Sequence, residues 1–158
     1  MLTRNTSVDA NTAAQKQYMT NRIRQLSTSP DVFKAVYKHT FVAGKDSDQR
    51  SLDRDNALVY WTSLFSAPGR PWVGKQTGRD FAALWAEFVQ EKWSKSISRD
   101  LWNQLLLFAD RSIEDETLSF WSEDGAWPGV IDDFVAWLRA RDAANGVAMD
   151  LDQPASTS

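Results

Sequence analysis

The chain has 158 residues, enough for one domain of ordinary size, and its 42% hydrophobic and 25% charged residues are typical of a globular protein. It has no cysteine and one histidine, His39, which excludes disulfides, cysteine nucleophiles and multi-histidine metal sites. Apolar runs such as residues 105–109 are far short of the ~20 residues that span a bilayer, and residues 1–5 do not lead into a secretory signal, so we expect an intracellular protein with no membrane partner.

The net charge of −3 is unevenly distributed along the chain. Residues 1–50 carry eight basic and four acidic side chains, whereas residues 110–133 carry one basic and eight acidic side chains. An acidic stretch repels nucleic acid and favours a basic protein surface, mainly by speeding their encounter. The charge pattern predicts a protein partner and no nucleic-acid partner, although a solvated acidic loop explains the charge equally well.

Helical spacing of apolar residues predicts three helices in the first half of the chain. Met19, Ile23 and Leu26 indicate a first helix over about 11–26. Ser29 and Pro30 are a capping residue and a helix-start proline for a second helix, which Gly44 ends. The apolar face of the third helix consists of Ala57, Leu58, Trp61, Leu64 and Phe65.

Three more helices follow a loop at 66–78 that is rich in glycine and proline. The fourth has apolar residues from Phe81 to Val89, Ser98 caps the fifth, and Pro128 starts the sixth. The sequence therefore predicts an all-α fold, a compact orthogonal bundle of about six helices. Its segments are a partly ordered 1–18, a helical domain at 19–140 and a disordered tail at 141–158.

The eight tryptophans fall into two groups. One group lies on predicted helices, where we expect large aromatic side chains to fill the core: Trp61, Trp85, Trp102 and Trp137. The other lies near loops or helix starts, where each indole either pins a loop to the core or stands at an interface: Trp72, Trp93, Trp121 and Trp127.

The sequence matches no catalytic or metal-binding template. It contains no glycine-rich phosphate loop, and His39 lies beside aromatic residues on a predicted helix, which favours a surface or half-buried position over a catalytic one. A calcium loop counted from Asp46 would place Ser51 at the turn glycine and Ala57 at the bidentate glutamate, so that interpretation fails. We expect no catalytic centre and no cofactor.

Acidic residues at two predicted helix starts instead suggest a docking surface. Asp100 lies in the first turn of the fifth helix, and Asp132 in that of the sixth. Compensation of the helix dipole is one explanation for both residues. Between them, however, residues 125–128 (Gly-Ala-Trp-Pro) form a tight helix start where only the methyl group of Ala126 protrudes. A small residue flanked by acids allows a partner backbone to approach and offers carboxylates to arginine or lysine.

Three blocks of sequence resemble one known family. They are residues 33–41 (Phe-Lys-Ala-Val-Tyr-Lys-His-Thr-Phe), 97–103 (Ile-Ser-Arg-Asp-Leu-Trp-Asn) and 124–135 (Asp-Gly-Ala-Trp-Pro-Gly-Val-Ile-Asp-Asp-Phe-Val). In the same order they are similar to the potentiating-neddylation domain of the defective-in-cullin-neddylation family, and the similarity runs from about Met19 to about Leu138. The resemblance implies an EF-hand-like helical arrangement that binds no calcium.

The same resemblance implies a function and a set of partners. Family members are non-catalytic co-ligases that bind the winged-helix tail domain of a cullin and a neddylation-conjugating enzyme, which carries the ubiquitin-like modifier. An Asp-Ala-Asp patch meets the cullin, and it corresponds here to Asp100, Ala126 and Asp132. We therefore expect a scaffold of cullin neddylation in the nucleus and cytoplasm, in indirect contact with the modifier.

The conjugating enzyme is a doubtful partner for these residues. In the family, a groove for its acetylated N-terminus lies between a further upstream lobe and the lobe that resembles this chain, and this half contributes positions that correspond to about Ala43 and Ser63. We expect neither the upstream lobe nor a ubiquitin-binding domain in the chain, and hence weak or no binding of that N-terminus. The alternatives are a form that binds cullin alone, a generic helical adaptor using Trp72 and Trp121, a degenerate calcium sensor, and an enzyme for small molecules.

Overall fold

The structure, a computed structural model, describes residues 2–152, with side-chain positions for residues 12–21 and 24–146. Six helices occur in this described part: α1 (Leu2–Thr28), α2 (Pro30–Gly44), α3 (Arg54–Leu64), α4 (Phe81–Lys92), α5 (Arg99–Glu114) and α6 (Gly129–Asp152). Two isolated antiparallel bridges are the only strand-like pairings within residues 2–152. The predicted all-α class is confirmed.

Four of the helices begin at a side chain that caps them. Ser29, Asp53, Asp80 and Ser98 each accept a hydrogen bond from a backbone N–H of the turn that follows. Such a bond satisfies a donor that has no partner inside the helix and stabilises it by about 0.5–2 kcal/mol. The predicted caps at Ser29 and Ser98 are confirmed, so α2 and α5 begin where the local sequence says they should.

The buried faces of α2 to α6 are those that the apolar spacing predicts. They bring together an aromatic core, whose largest fully buried side chains are Trp72, Trp85, Trp102, Tyr37, Phe33, Phe41, Phe81, Phe88, Phe108 and Phe134. Trp61 is also buried, whereas Trp137 is only half-buried at the edge of the core. Aromatic pairs of this kind add about 0.5–1.5 kcal/mol to the effect of burial alone.

A buried polar network joins α2, α3 and α5 inside that core. The Tyr37 hydroxyl donates to the carbonyl oxygen of Trp102 at 2.6 Å and accepts from the indole N–H of Trp61 at 3.1 Å. The Trp102 indole donates in turn to the Tyr37 carbonyl oxygen at 2.9 Å, and the two rings stack with centroids 4.5 Å apart. Burial raises the pKa of Tyr37 well above its ordinary value, so the hydroxyl stays neutral.

A short antiparallel bridge holds the starts of α3 and α5 side by side. The N–H of Leu52 donates to the Ile97 carbonyl oxygen at 2.9 Å, and the N–H of Ile97 donates to that of Leu52 at 2.7 Å. Both side chains are fully buried, and each residue directly precedes the cap of its helix, Asp53 or Ser98. The first turns of α3 and α5 are therefore tied to each other as well as to the core.

The loop between α3 and α4 is fixed by the indole of Trp72. This side chain is fully buried, and its N–H donates to the hydroxyl of Ser112 on α5 at 2.7 Å. The Ser112 hydroxyl donates onward to the Ala109 carbonyl oxygen at 3.0 Å. Trp72 thus pins its loop to the core, and the alternative of an adaptor that uses Trp72 as a contact surface is wrong because a partner cannot reach the ring.

The first helix is longer than its apolar spacing predicts. It runs over Leu2–Thr28 rather than about 11–26, and it therefore includes most of the segment 1–18. Met19 is 56% exposed and Leu26 is half-buried, while the side chain of Ile23 lies outside the described residues. The helix that the spacing of Met19 and Leu26 indicates is present, but α1 leaves Met19 in solvent.

The last helix also extends beyond the predicted boundary. The sequence predicts a disordered tail from residue 141, whereas α6 continues as helix to Asp152, and residues 153–158 lie outside the described part. Arg141 pairs with Glu87 at 2.8 Å and Asp142 pairs with Arg79 at 2.7 Å. These ion pairs with other parts of the chain hold residues 141 and 142, which the local sequence places in a tail.

A candidate acidic docking site at the starts of two helices

Asp100 lies in the first turn of α5, at an exposed position. The turn starts at Ser98, whose hydroxyl accepts from the N–H of Leu101 at 3.1 Å, and Leu101 is itself buried. Asp100 takes part in none of the ion pairs within the described residues. Its backbone is therefore held by the cap and by the neighbouring bridge, while its carboxylate faces solvent.

Ala126 lies in the loop that joins α5 to α6, and its methyl group is exposed. The adjoining Trp127 packs edge-on against Phe108 of α5 and against Phe120, with ring centroids 5.6 and 6.0 Å apart. On the other side, the N–H of Gly125 closes a turn on the Ser122 carbonyl oxygen at 3.0 Å. The small side chain of Ala126 is thus presented to solvent from a backbone that is anchored on both sides.

Asp132 lies in the first turn of α6 and is half-buried. Its Oδ1 accepts a hydrogen bond from the indole N–H of Trp121 at 2.9 Å. The Trp121 ring lies against Arg139, whose guanidinium carbon is 5.0 Å from the ring centroid. Asp132 is therefore the one member of the predicted triplet whose carboxylate is oriented by another side chain.

The structure relates these three residues through the loop and through α5. Ala126 and Asp132 lie on either side of the start of α6, and Trp127 connects that region to Phe108 on α5. Asp100 lies eight residues before Phe108, about 12 Å along the helix axis at 1.5 Å per residue. No described hydrogen bond or ion pair links Asp100 to Asp132, and the grouping of all three into one docking patch stays a prediction.

Most of the acidic stretch at 110–133 is already engaged within the chain. Five of its eight acids take part in described hydrogen bonds or ion pairs: Asp110, Glu114, Asp115, Glu116 and Asp132. Arg70 and Lys75 supply two of these contacts from the loop before α4. The exposed acids Glu123 and Asp124 lie just before Ala126, so negative charge available to a partner remains near the start of α6.

Two of the engaged acids are held in their charged form. Hydrogen bonds from the hydroxyls of Ser119 and Thr117 hold the pKa of Asp115 below its ordinary value, and a hydrogen bond from the Thr77 hydroxyl does the same for the pKa of Glu116. Leu118, which lies between Thr117 and Ser119, adopts a left-handed backbone with φ of 59° while its side chain is buried. Asp115 therefore organises the turn that follows it, and Glu116 organises the loop before α4.

Three further features concern His39, metal ligands and membrane-spanning helices. His39 is exposed on α2, in keeping with the predicted surface position. Among the residues with described side chains, no group of three or more His, Cys, Asp or Glu is placed to hold a metal ion. Across that same part of the chain, no helix combines the length and apolar character needed to cross a membrane.

Comparison with known proteins decides the family. A protein-family model described as "Cullin binding" matches residues 14–137, a span that includes α2 to α5 and Asp100, Ala126 and Asp132. The chain belongs to this cullin-binding family. This match, together with curated relatives of that name, confirms the resemblance to the defective-in-cullin-neddylation family.

Several curated relatives of the chain carry the name of the defective-in-cullin-neddylation family. "Defective in cullin neddylation protein 1" of Pyricularia oryzae is 43% identical over 155 residues, which cover 93% of this chain and 55% of the relative. The protein of the same name from Cryptococcus neoformans is 36% identical over 137 residues, covering 78% and 48%. "DCN1-like protein 3" of Homo sapiens is 38% identical over 120 residues, covering 73% and 36%. The chain spans about half the length of the first two relatives.

The residues that identify the cullin-binding family serve two different purposes. Phe33, Tyr37 and Phe41 of the first block, and Trp102 of the second, are buried and build the core. The third block does both, because Ile131 and Phe134 are buried in the core whereas Asp132 is half-buried at the start of α6. Asp100 of the second block is exposed at the start of α5. The family signature therefore contains both the packing that fixes these helices and the surface that they carry.

The two positions predicted for a conjugating-enzyme groove are both exposed. Ala43 lies in the last turn of α2 and Ser63 near the end of α3. The two helices approach each other at Gly44, where an added Cβ atom would lie 2.5 Å from the ring of Tyr60. Gly44 thus permits this close approach, whereas a shared groove between Ala43 and Ser63 stays a prediction.

Proposed function

We propose that the chain binds the winged-helix tail domain of a cullin and promotes cullin neddylation as a non-catalytic scaffold. The observation that carries the proposal is the match of the cullin-binding family model across residues 14–137. It is supported by relatives that are named for defects in cullin neddylation. The same proposal places the protein in the nucleus and cytoplasm, which imaging of a fluorescently tagged chain tests.

We assign the contact with cullin to Asp100, Ala126 and Asp132. The exposed methyl group of Ala126 leaves room for a partner backbone, and the two carboxylates offer charge-assisted hydrogen bonds to lysine or arginine. Exposed Glu123 and Asp124 add negative charge that attracts a basic partner over a longer distance. The proposed partner surface is therefore basic and closely fitted around a small residue.

The proposed mechanism requires no nucleophile in this chain. A scaffold that holds a cullin near a charged conjugating enzyme raises the effective concentration of the acceptor lysine at the modifier thioester and restricts their relative orientation. In this mechanism the chain contributes binding free energy and geometry, while the bond-forming groups belong to the partners.

We further propose that the chain binds the acetylated N-terminus of the conjugating enzyme weakly or not at all, since Ala43 and Ser63 offer only small, exposed side chains. Titration of an acetylated N-terminal peptide, followed by calorimetry, tests this part. Weak or absent binding supports it, and a dissociation constant of micromolar or below contradicts it.

Charge reversal at the two aspartates tests the cullin contact. Asp100→Arg and Asp132→Arg are each expected to abolish pull-down of a purified cullin tail domain, because removing one partner of such a charge pair typically costs about 2–5 kcal/mol. Asp46→Arg, an equivalent change in the exposed loop before α3, is the matched control and should bind normally. Far-UV circular dichroism verifies that all three variants remain helical. Undiminished cullin binding by both variants would contradict the assignment.

A further inference from the structure

The indole of Trp121 makes a contact with the proposed cullin site that the sequence did not predict. Its N–H donates to Oδ1 of Asp132 at 2.9 Å, across eleven positions of the chain, and both side chains are half-buried. A hydrogen bond to a carboxylate is stronger than one between neutral groups, and partial burial reduces competition from water. One oxygen of Asp132 is thus held within the chain, while Oδ2 has no described partner.

The ring of Trp121 is itself held in place from the other side. Arg139 lies seven residues after Asp132, two turns along the same face of α6, and its guanidinium carbon is 5.0 Å from the centroid of the indole. The backbone N–H of Trp121 also bonds to the Leu118 carbonyl oxygen at 3.1 Å. The indole therefore lies along one face of α6, with its N–H end at Asp132 and its ring at Arg139.

We propose that Trp121 is the positioning residue of the cullin-binding site: it orients the carboxylate of Asp132 and closes the loop that presents Ala126. This inference rests on the proposed function. The hydrogen bond ties residue 121 to residue 132, so it fixes the segment in which Ala126 lies. A carboxylate that is already oriented loses less conformational freedom when a partner cation binds, and the affinity for that partner rises accordingly.

The chain contains a second tryptophan in a matching environment. The N–H of Trp137 donates to Oε2 of Glu91 at 3.3 Å, and Arg141 lies over its ring at 5.1 Å from the centroid. Trp121 and Trp137 are thus alike, since the indole of each is bonded to a carboxylate and covered by an arginine. Only the carboxylate bonded to Trp121 belongs to the proposed site, which makes Trp137 a close control.

Replacing each indole by phenylalanine removes the N–H and keeps an aromatic ring. The affinity of Trp121→Phe for a purified cullin tail domain is expected to fall about three- to tenfold, the range for loss of one net hydrogen bond. Trp137→Phe should change it less than twofold. Titration calorimetry gives the affinities, and circular dichroism and thermal unfolding show whether each variant keeps its fold.

A double-mutant cycle separates positioning from general support of the fold. In an Asp132→Ala background, Trp121→Phe should cause no further loss, because its N–H has no carboxylate left to orient. In an Asp100→Ala background it should still cause the three- to tenfold loss. A full additional loss in the Asp132→Ala background, or affinity within twofold of wild type for Trp121→Phe alone, would overturn the inference.

The same experiment distinguishes failure of the positioning role of Trp121 from failure of the proposed function. If wild-type chain binds the cullin tail and Asp132→Ala weakens it, but Trp121→Phe does not, the positioning role fails and the proposed function stands. If wild-type chain does not bind the cullin tail, the proposed function fails, and the inference that rests on it fails as well.

Discussion

Removal of the Tyr37 hydroxyl tests how much the buried network contributes to the free energy of unfolding. Tyr37→Phe keeps the aromatic ring that stacks on Trp102, so it changes the hydrogen bonds and almost nothing else. The hydroxyl has two partners, the carbonyl oxygen of Trp102 and the indole N–H of Trp61. All three side chains are at most 3% exposed, so water cannot replace the missing group.

The expected cost follows from what each partner loses. Trp102 lies inside α5, where its carbonyl oxygen keeps a helical donor, so the lost bond costs only its net value of about 1 kcal/mol. The indole N–H of Trp61 has no such substitute, and an unpartnered buried donor costs about 1–3 kcal/mol. Together these give a loss of about 2–4 kcal/mol in the free energy of unfolding.

Urea denaturation of the whole chain, followed by far-UV circular dichroism, measures this loss. Tyr18→Phe is the matched control, because Tyr18 is 63% exposed on α1 and should change stability by less than about 0.5 kcal/mol. In the background of Trp61→Phe, the cost of Tyr37→Phe should fall by about 1–3 kcal/mol, since no indole N–H remains to be stranded. A loss below about 0.5 kcal/mol for Tyr37→Phe alone would refute the reasoning.

Three other outcomes are expected. Ser112→Ala should lower the free energy of unfolding by about 1–3 kcal/mol, measured by urea denaturation, because it strands the buried N–H of Trp72. Because the pKa of Glu116 is lower in the folded chain, the charged carboxylate stabilises the fold above pH 4.5, its ordinary pKa, and this stabilisation is lost as the pH falls through the pKa of the folded state. The Tm difference between wild type and Glu116→Gln should therefore shrink below about pH 4.5. Glu123→Gln, at an exposed position, is the control. Finally, the association rate with a cullin tail domain, measured by stopped flow, should fall as salt is added; a rate independent of salt would contradict steering by exposed acids.

The sequence predicted most of the helices because their signals are local. A cap such as Ser98, and apolar residues at helical spacing, act within one or two turns and are readable from a short window. The ends of the bundle were predicted less well. The last helix continues past residue 141 in a segment where Asp142 pairs with Arg79, more than sixty positions earlier in the chain, and no local pattern reveals that contact.

The candidate site shows the same division. Helix starts placed Asp100 and Asp132 correctly in first turns, and the family signature singled out Ala126. The charge count of 110–133 could not separate a docking surface from an acidic loop, and in the structure Arg70 and Lys75 of the loop before α4 pair with two of its acids. The hydrogen bond from Trp121 to Asp132 could not be predicted from the sequence either, because no local pattern around a loop tryptophan indicates which carboxylate its N–H contacts.

The stacked indoles of the core provide an optical signal that is separate from the proposed docking face. Trp61 lies 5.1 Å from Trp102 and meets Trp85 edge-on at 5.3 Å, distances at which excited states of neighbouring rings couple. Such coupling produces paired bands of opposite sign in circular dichroism, and the bands weaken as the rings move apart. Trp121 lies outside this stack, so the paired bands report on the interior independently of the proposed docking face.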